Sequence, residues 1–144
     1  MWKKNLILIR ILGVSLIIIF VDQITKFWVF KTHSNVQIIG DFLRITIVQN
    51  HYGLFGLHYR ISFLPITALA ICAIFIILYK AKLLSLSLIL GGAISNFVDR
   101  VRIGAVIDWI DIGVKNIRWP VFNIADASIT IGIFWLILKE IKRK

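Results

Sequence analysis

The stretch "NLILIRILGVSLIIIFVDQITKFWV", residues 5–29, decides the fold, because it settles whether the chain belongs in water or in lipid. It exceeds the roughly 20 residues that a helix needs to cross the hydrocarbon core. It is too long for a cleavable signal peptide, and no small-residue cleavage site follows, so it is expected to stay as helix one. Three further apolar stretches, residues 61–79, 83–98 and 121–138, point the same way, the third span being the shortest. The chain has 144 residues, 59% of them hydrophobic, and a mean hydropathy of +0.89, too apolar for a soluble domain of this length. A soluble four-helix bundle would need a polar stripe on each helix, and none is visible. The expectation is an all-α membrane protein: one domain over residues 1–144, with four transmembrane helices and a small extracytoplasmic β-rich segment between helices one and two.

The formal charge of +10 invites a nucleic-acid partner, but its distribution excludes that reading. If four helices cross, Lys3, Lys4, Arg10, Lys80, Lys82 and the Lys139, Lys142, Arg143, Lys144 tail share one side. That side holds nine basic residues against Glu140, a net of +8; the other holds eight basic residues against six aspartates, a net of +2. The positive-inside rule then puts both termini and the Lys80 turn in the cytoplasm. Cys72, the single cysteine, lies within the second apolar stretch and reads as packing. His33, His51 and His58 lack metal-ligand spacing and read as loop surface, so neither a metal nor a cofactor is expected.

The outer segment, residues 30–60, carries "NVQIIGDFLRITIVQN", two runs rich in β-branched residues around Gly40 and Asp41. That pattern predicts a hairpin or small sheet lying on the membrane. "NHYGLFG" follows and reads as a loop, expected to form a mobile cover over the outer site. Pro65 and Pro120 stand near the predicted starts of helices two and four, and Trp28, Trp109 and Trp119 at predicted outer boundaries.

Four polar groups interrupt the apolar background, all near predicted outer helix ends. In "DQITK", Asp22 and Lys26 stand at i and i+4 on one helix face and can pair, although a purely structural ion pair explains that spacing as well. In "GGAISNFVDR", Asn96 and Asp99 share a face, Arg100 lies four residues past Asn96, and Gly91 and Gly92 allow another helix to approach closely. The third and fourth are "VIDWID" and "FNIAD". Asp108 follows helix three and Asp126 opens helix four, so a chain reversal can bring both to the outer surface. Two carboxylates in one poorly solvated site share a proton near neutral pH, the state an aspartic protease needs. No nucleophilic serine elbow or thiolate site competes. A carboxylate held by a helix N-terminus accounts for Asp126 equally well, and Asp111 is expected to be a surface residue in a wetter loop.

In this order, "DQITK", "VQNHYGLFG", "GGAISNFVDR", "VIDWID" and "FNIAD" resemble the lipoprotein signal peptidase family, also called signal peptidase II, bacterial inner-membrane aspartic proteases. The resemblance spans nearly the whole chain. It implies that Asp108 and Asp126 form the catalytic dyad, and that Asp22, Lys26, Asn50, Asn96, Asp99, Arg100 and Asn123 support it or the substrate. The implied partners are a lipid-modified prolipoprotein, cut before its diacylglyceryl cysteine, and membrane lipids; a monomer is expected. One position departs: the family usually has glycine two residues after the asparagine matching Asn50, and this chain has Tyr52, with Gly53 one place later. Apart from the resemblance, a small proton-coupled membrane transporter or channel using Asp22, Asp99 and Asp126 as a relay is the other class, although such relays usually lie near the bilayer midplane.

Overall fold

The computed structural model describes residues 2–32, 35–51 and 84–142, together with positions 70, 71, 73, 74 and 77, which are helical. In chain order, α1 is Trp2–Thr32, β1 Val36–Ile39, β2 Leu43–Asn50, α2 Leu84–Ile103, β3 Val106–Val114, β4 Ile117–Arg118 and α3 Ile124–Ile141. Most of the expected span 61–79, with Pro65 and Cys72, lies outside the described residues, as do His33, His58 and the Tyr52, Gly53 loop expected to cover the site. Among the described residues, two helical stretches, Leu6–Thr32 and Leu84–Ile103, are long and apolar enough to cross a membrane. Much of α1 faces outward with large apolar side chains such as Leu16, Ile17, Phe20 and Phe27. Only a lipid solvent makes such a surface favourable.

The helices overrun the apolar stretches that announce them. α2 continues past Val98 to Ile103, because Asn96 and Asp99 find partners on neighbouring elements and the helix need not stop where apolarity stops. It ends at Gly104, whose φ of +71° lets its N–H turn back to the Arg100 carbonyl at 3.1 Å. α3 starts three residues later than the apolar stretch suggests. Asn123 caps it, its side chain accepting from the Asp126 N–H while the Asp126 carboxylate faces the Asn123 N–H, a reciprocal capping box. Pro120 therefore precedes the helix in a strand-like segment, in which Phe122 bridges Ile110.

α2 is the central helix, with α1 and α3 packed on it. A Cβ on Gly91 would sit 2.9 Å from the Ser15 carbonyl oxygen of α1, and one on Gly92 2.4 Å from the Ala125 carbonyl oxygen of α3. The paired glycines therefore serve two different helices. Ile11, Leu86 and Leu90 form the buried apolar centre, with Ile71 and Ile74 packed against it.

The hairpin expected around Gly40 is present, with β1 antiparallel to β2 and Gly40 at φ +48°. It is half of a larger sheet. The segment expected to be a loop around "VIDWID" is strand β3, antiparallel to β2, and the sheet order is β1-β2-β3-β4. Val, Ile and Trp dominate β3, which favours a pleated, half-buried strand despite its two aspartates. Asn50, the last residue of β2, pairs with Val106, while Asp108 lies opposite Val48. The site end of the sheet thereby rests on the ends of α1 and α2.

Candidate active site

The site grows from three adjoining element ends: the C-terminal parts of α1 and α2 and the capped N-terminus of α3. At its base is a buried ion cluster. Lys26 Nζ lies 2.6 Å from Asp22 Oδ2 and 2.8 Å from Asp99 Oδ2, and donates to Asn96 Oδ1 at 2.9 Å. Asp22, Lys26 and Asp99 are all buried. Such charges persist in a poorly solvated place only because every one is paired and hydrogen-bonded. Asp22 Oδ2 accepts from the Ser95 hydroxyl at 2.7 Å and its Oδ1 from the Ala125 N–H at 2.8 Å. Asp99 Oδ1 accepts from Gln23 Nε2 at 2.8 Å. The cluster thus ties α1 and α2 to the first turn of α3.

Above it, three asparagines carry hydrogen bonds to Asp108 and Asp126. Asn96 Nδ2 donates to Asp126 Oδ1 at 2.8 Å. Asn123 Nδ2 donates to Asp108 Oδ1 at 2.7 Å and lies 3.2 Å from Asn96 Oδ1. Asn50 Nδ2 donates to Asp108 Oδ2 at 3.0 Å. Asn123 therefore binds Asp108 through its amide and Asp126 through the cap. Burial pushes the Asp108 carboxyl up to about 6 from the usual carboxylate range, and the negative charge of Asp126 adds to the rise; donation from Asn50 and Asn123 and the charge of Lys26 oppose it.

Of the nine residues singled out in the sequence, Asp22, Lys26, Asn50, Asn96, Asp99, Asp108, Asn123 and Asp126 join one continuous network. Arg100 stands at its edge, its Nη1 donating to the Asn96 backbone carbonyl at 3.3 Å. Sequence reasoning passed over Gln23 and Ser95, although both lie inside motifs already quoted; neither carries charge, so neither stood out against the apolar background. Asp126 caps α3, as the helix-terminus reading of it expects, and its negative charge acts on Asp108.

Asp111 corrects an expectation. It is not a loop surface residue: only 5% of its surface is exposed, and it sits in β3 opposite Arg44. Arg118 Nε donates to its Oδ1 at 2.6 Å and Thr46 Oγ1 to its Oδ2 at 3.0 Å. The hydrogen bond from Arg118 is the main cause that holds the Asp111 carboxyl below its usual range. Asp111 is covered because the segment after α2 is a strand paired with β2 rather than an open chain reversal.

The chain is similar to known proteins over most of its length. The profile of the family described as Signal peptidase (SPase) II matches residues 14–142. A lipoprotein signal peptidase of Syntrophus aciditrophicus is 35% identical over 158 aligned positions, covering 99% of this chain and 97% of that protein. One of Burkholderia mallei is 40% identical over 148 positions, covering 92% of this chain and 87% of that protein. Among solved structures, a bacterial membrane enzyme superposes with a TM-score of 0.82 at 29% identity, over 92% of this chain and 87% of the other. A second gives 0.80 at 30% identity, over 93% and 94%.

Proposed function

This chain belongs to the signal peptidase II family, and from that premise we propose that it is an aspartic endopeptidase of the bacterial inner membrane, removing signal peptides from diacylglyceryl-modified prolipoproteins, with Asp108 and Asp126 as its catalytic pair. The observation that supports the residue assignment is the asparagine bridge: the Asn123 side chain donates to the Asp108 carboxylate and accepts from the Asp126 backbone N–H, while Asn96 and Asn50 donate to the Asp126 and Asp108 carboxylates respectively. Two carboxyls so placed share one proton near neutral pH.

In the proposed reaction the ionised carboxylate takes a proton from a water molecule as the water oxygen attacks the scissile carbonyl carbon. The protonated partner gives its proton to the carbonyl oxygen, forming a neutral tetrahedral diol. Collapse of that intermediate transfers a proton to the amide nitrogen, breaks the C–N bond and frees the signal peptide, leaving the lipidated cysteine as the new N-terminus. The asparagine donors hold both side chains in place before the substrate arrives, so little reorganisation accompanies the step. The acyl chains of the cysteine partition into the outer leaflet and bring the scissile bond to the depth of the pair, which supplies much of the binding.

The ionisable groups gather where α1, α2 and α3 meet the sheet, whereas a transporter relay would place them at a break within the membrane. Replacing Asp108 or Asp126 by Asn in the purified protein should cut cleavage of a lipidated prolipoprotein by about a thousandfold or more, with abundance little changed. The double variant should be scarcely slower than either single one. Cleavage near the parent rate by either single variant would overturn the catalytic assignment.

A further inference from the structure

Besides its charge, Lys26 is linked to the carboxylate pair by hydrogen bonds through Asn96, and hydrogen-bond polarity gives that link a direction. An ammonium has three N–H donors and no acceptor. All three of its N–H groups have partners within 2.9 Å: Asp22 Oδ2, Asp99 Oδ2 and Asn96 Oδ1. Asn96 must therefore turn its carbonyl oxygen toward Lys26, which leaves its NH2 group aimed at Asp126 Oδ1, 2.8 Å away. Asn123 is oriented by the same logic. Its Oδ1 accepts the Asp126 N–H, a group that can only donate, and its NH2 group then faces Asp108 Oδ1.

The consequence is an asymmetric pair. Asp108 accepts an amide N–H on each oxygen, from Asn123 at 2.7 Å and Asn50 at 3.0 Å. Asp126 accepts one on Oδ1, while among the described residues its Oδ2 has only the Asn123 backbone N–H at a long 3.4 Å. Asp126 Oδ2 is the oxygen with the weakest claim from a donor and the place where a proton displaces least hydrogen bonding. Among the described residues, the charged groups around the pair are Asp22 and Lys26 of α1, Asp99 and Arg100 of α2 and the two carboxylates themselves.

We propose that Lys26 is a positioning residue: acting through Asn96, it makes Asp126 accept a hydrogen bond at Oδ1 and hold the shared proton at Oδ2, which leaves Asp108 as the proton acceptor. The proposal rests on the reading of Asp108 and Asp126 as the catalytic pair. A merely structural Lys26 would neutralise Asp22 and Asp99 and do nothing more.

The test measures pH–rate profiles and thermal unfolding of purified variants on a lipidated prolipoprotein in liposomes. Lys26→Met should lower kcat about tenfold or more, with KM within about threefold of the parent. Combined with Asn96→Ala it should be no slower than Asn96→Ala alone, because both act along one path. A Lys26→Met protein that unfolds earlier yet keeps the parent kcat, or losses that add, would overturn the proposal. If Lys26→Met does not fold, Asn96→Asp decides. The introduced carboxyl keeps the shape and the bond from Lys26, but it can donate to Asp126 only when protonated. Its pH optimum should move toward acid by about one unit, with low activity at neutral pH; a profile matching the parent would sink the idea. Parent-like Lys26→Met and Asn96→Asp beside an inactive Asp108→Asn remove this inference alone, whereas an active Asp108→Asn removes the catalytic pair with it.

Discussion

Asp108 and Asp111 stand three residues apart in one strand, are both buried, and yet titrate in opposite directions. Amides surround the first, which supply hydrogen bonds without a positive charge; a guanidinium faces the second. A raised value means that the folded state binds the Asp108 proton more tightly than the unfolded chain. That contribution to stability is fully present below the unfolded value and is lost as pH rises through about 6. The difference in Tm between Asp108→Asn and the parent should therefore shift in favour of the variant from pH 4 to pH 8, and a pH-independent difference would contradict the assigned burial. Activity should show an acid limb near pH 6, where the pair loses its ionised member. For Asp111 the sign reverses. Its pairing stabilises the fold above the ordinary carboxylate range and weakens as pH falls through its lowered value. Asp111→Asn should lower Tm at pH 7 and lose that deficit in strong acid, while active protein that remains folded keeps near-parent kcat.

At the scale of elements, the site depends on how closely α2 and α3 approach. Gly92 stands one helical turn before Asn96, and Ala125, whose carbonyl oxygen it meets, immediately precedes Asp126. A methyl group there cannot fit 2.4 Å from a carbonyl oxygen, so Gly92→Ala must push the helices apart and lengthen the Asn96–Asp126 hydrogen bond. Misplacement of about 1 Å can cost on the order of 100-fold in rate, and kcat should fall accordingly in protein that still inserts. Gly13, by contrast, has nothing among the described residues within 4 Å of an added Cβ, and Gly13→Ala should be active and at least as stable as the parent, which controls for helix propensity. Thermal unfolding and kcat measured on both variants separate the two effects.

For the molecule as a whole, we propose that four helices cross, that both termini face the cytoplasm and that the site lies near the outer surface, because four crossings put the strong positive excess on the side of the Lys3 and Lys144 ends. A reporter that is active only in the cytoplasm, fused after Lys144, should report activity; the opposite result would reverse the orientation and detach the site from the leaflet where a diacylglyceryl cysteine is anchored. Exposed Trp28 and Trp119 suit the interfacial level on that side.

The amino-acid sequence alone determined the class of solvent, the apolar stretches of α1 and α2, the hairpin at Gly40 and the charged residues of the network, because hydropathy, β-branching and isolated charges in lipid are local signals. The strand at "VIDWID", the burial of Asp111 and the separate duties of Gly91 and Gly92 were decided only by tertiary structure. Each depends on a partner distant in the chain: β3 forms against β2, Asp111 is covered by Arg118 and Thr46, and the two glycines face α1 and α3. Hydrogen-bond direction belongs to the same group. An asparagine reads identically in either orientation, and only the ammonium of Lys26, seventy residues away along the chain, selects which end of Asn96 meets Asp126.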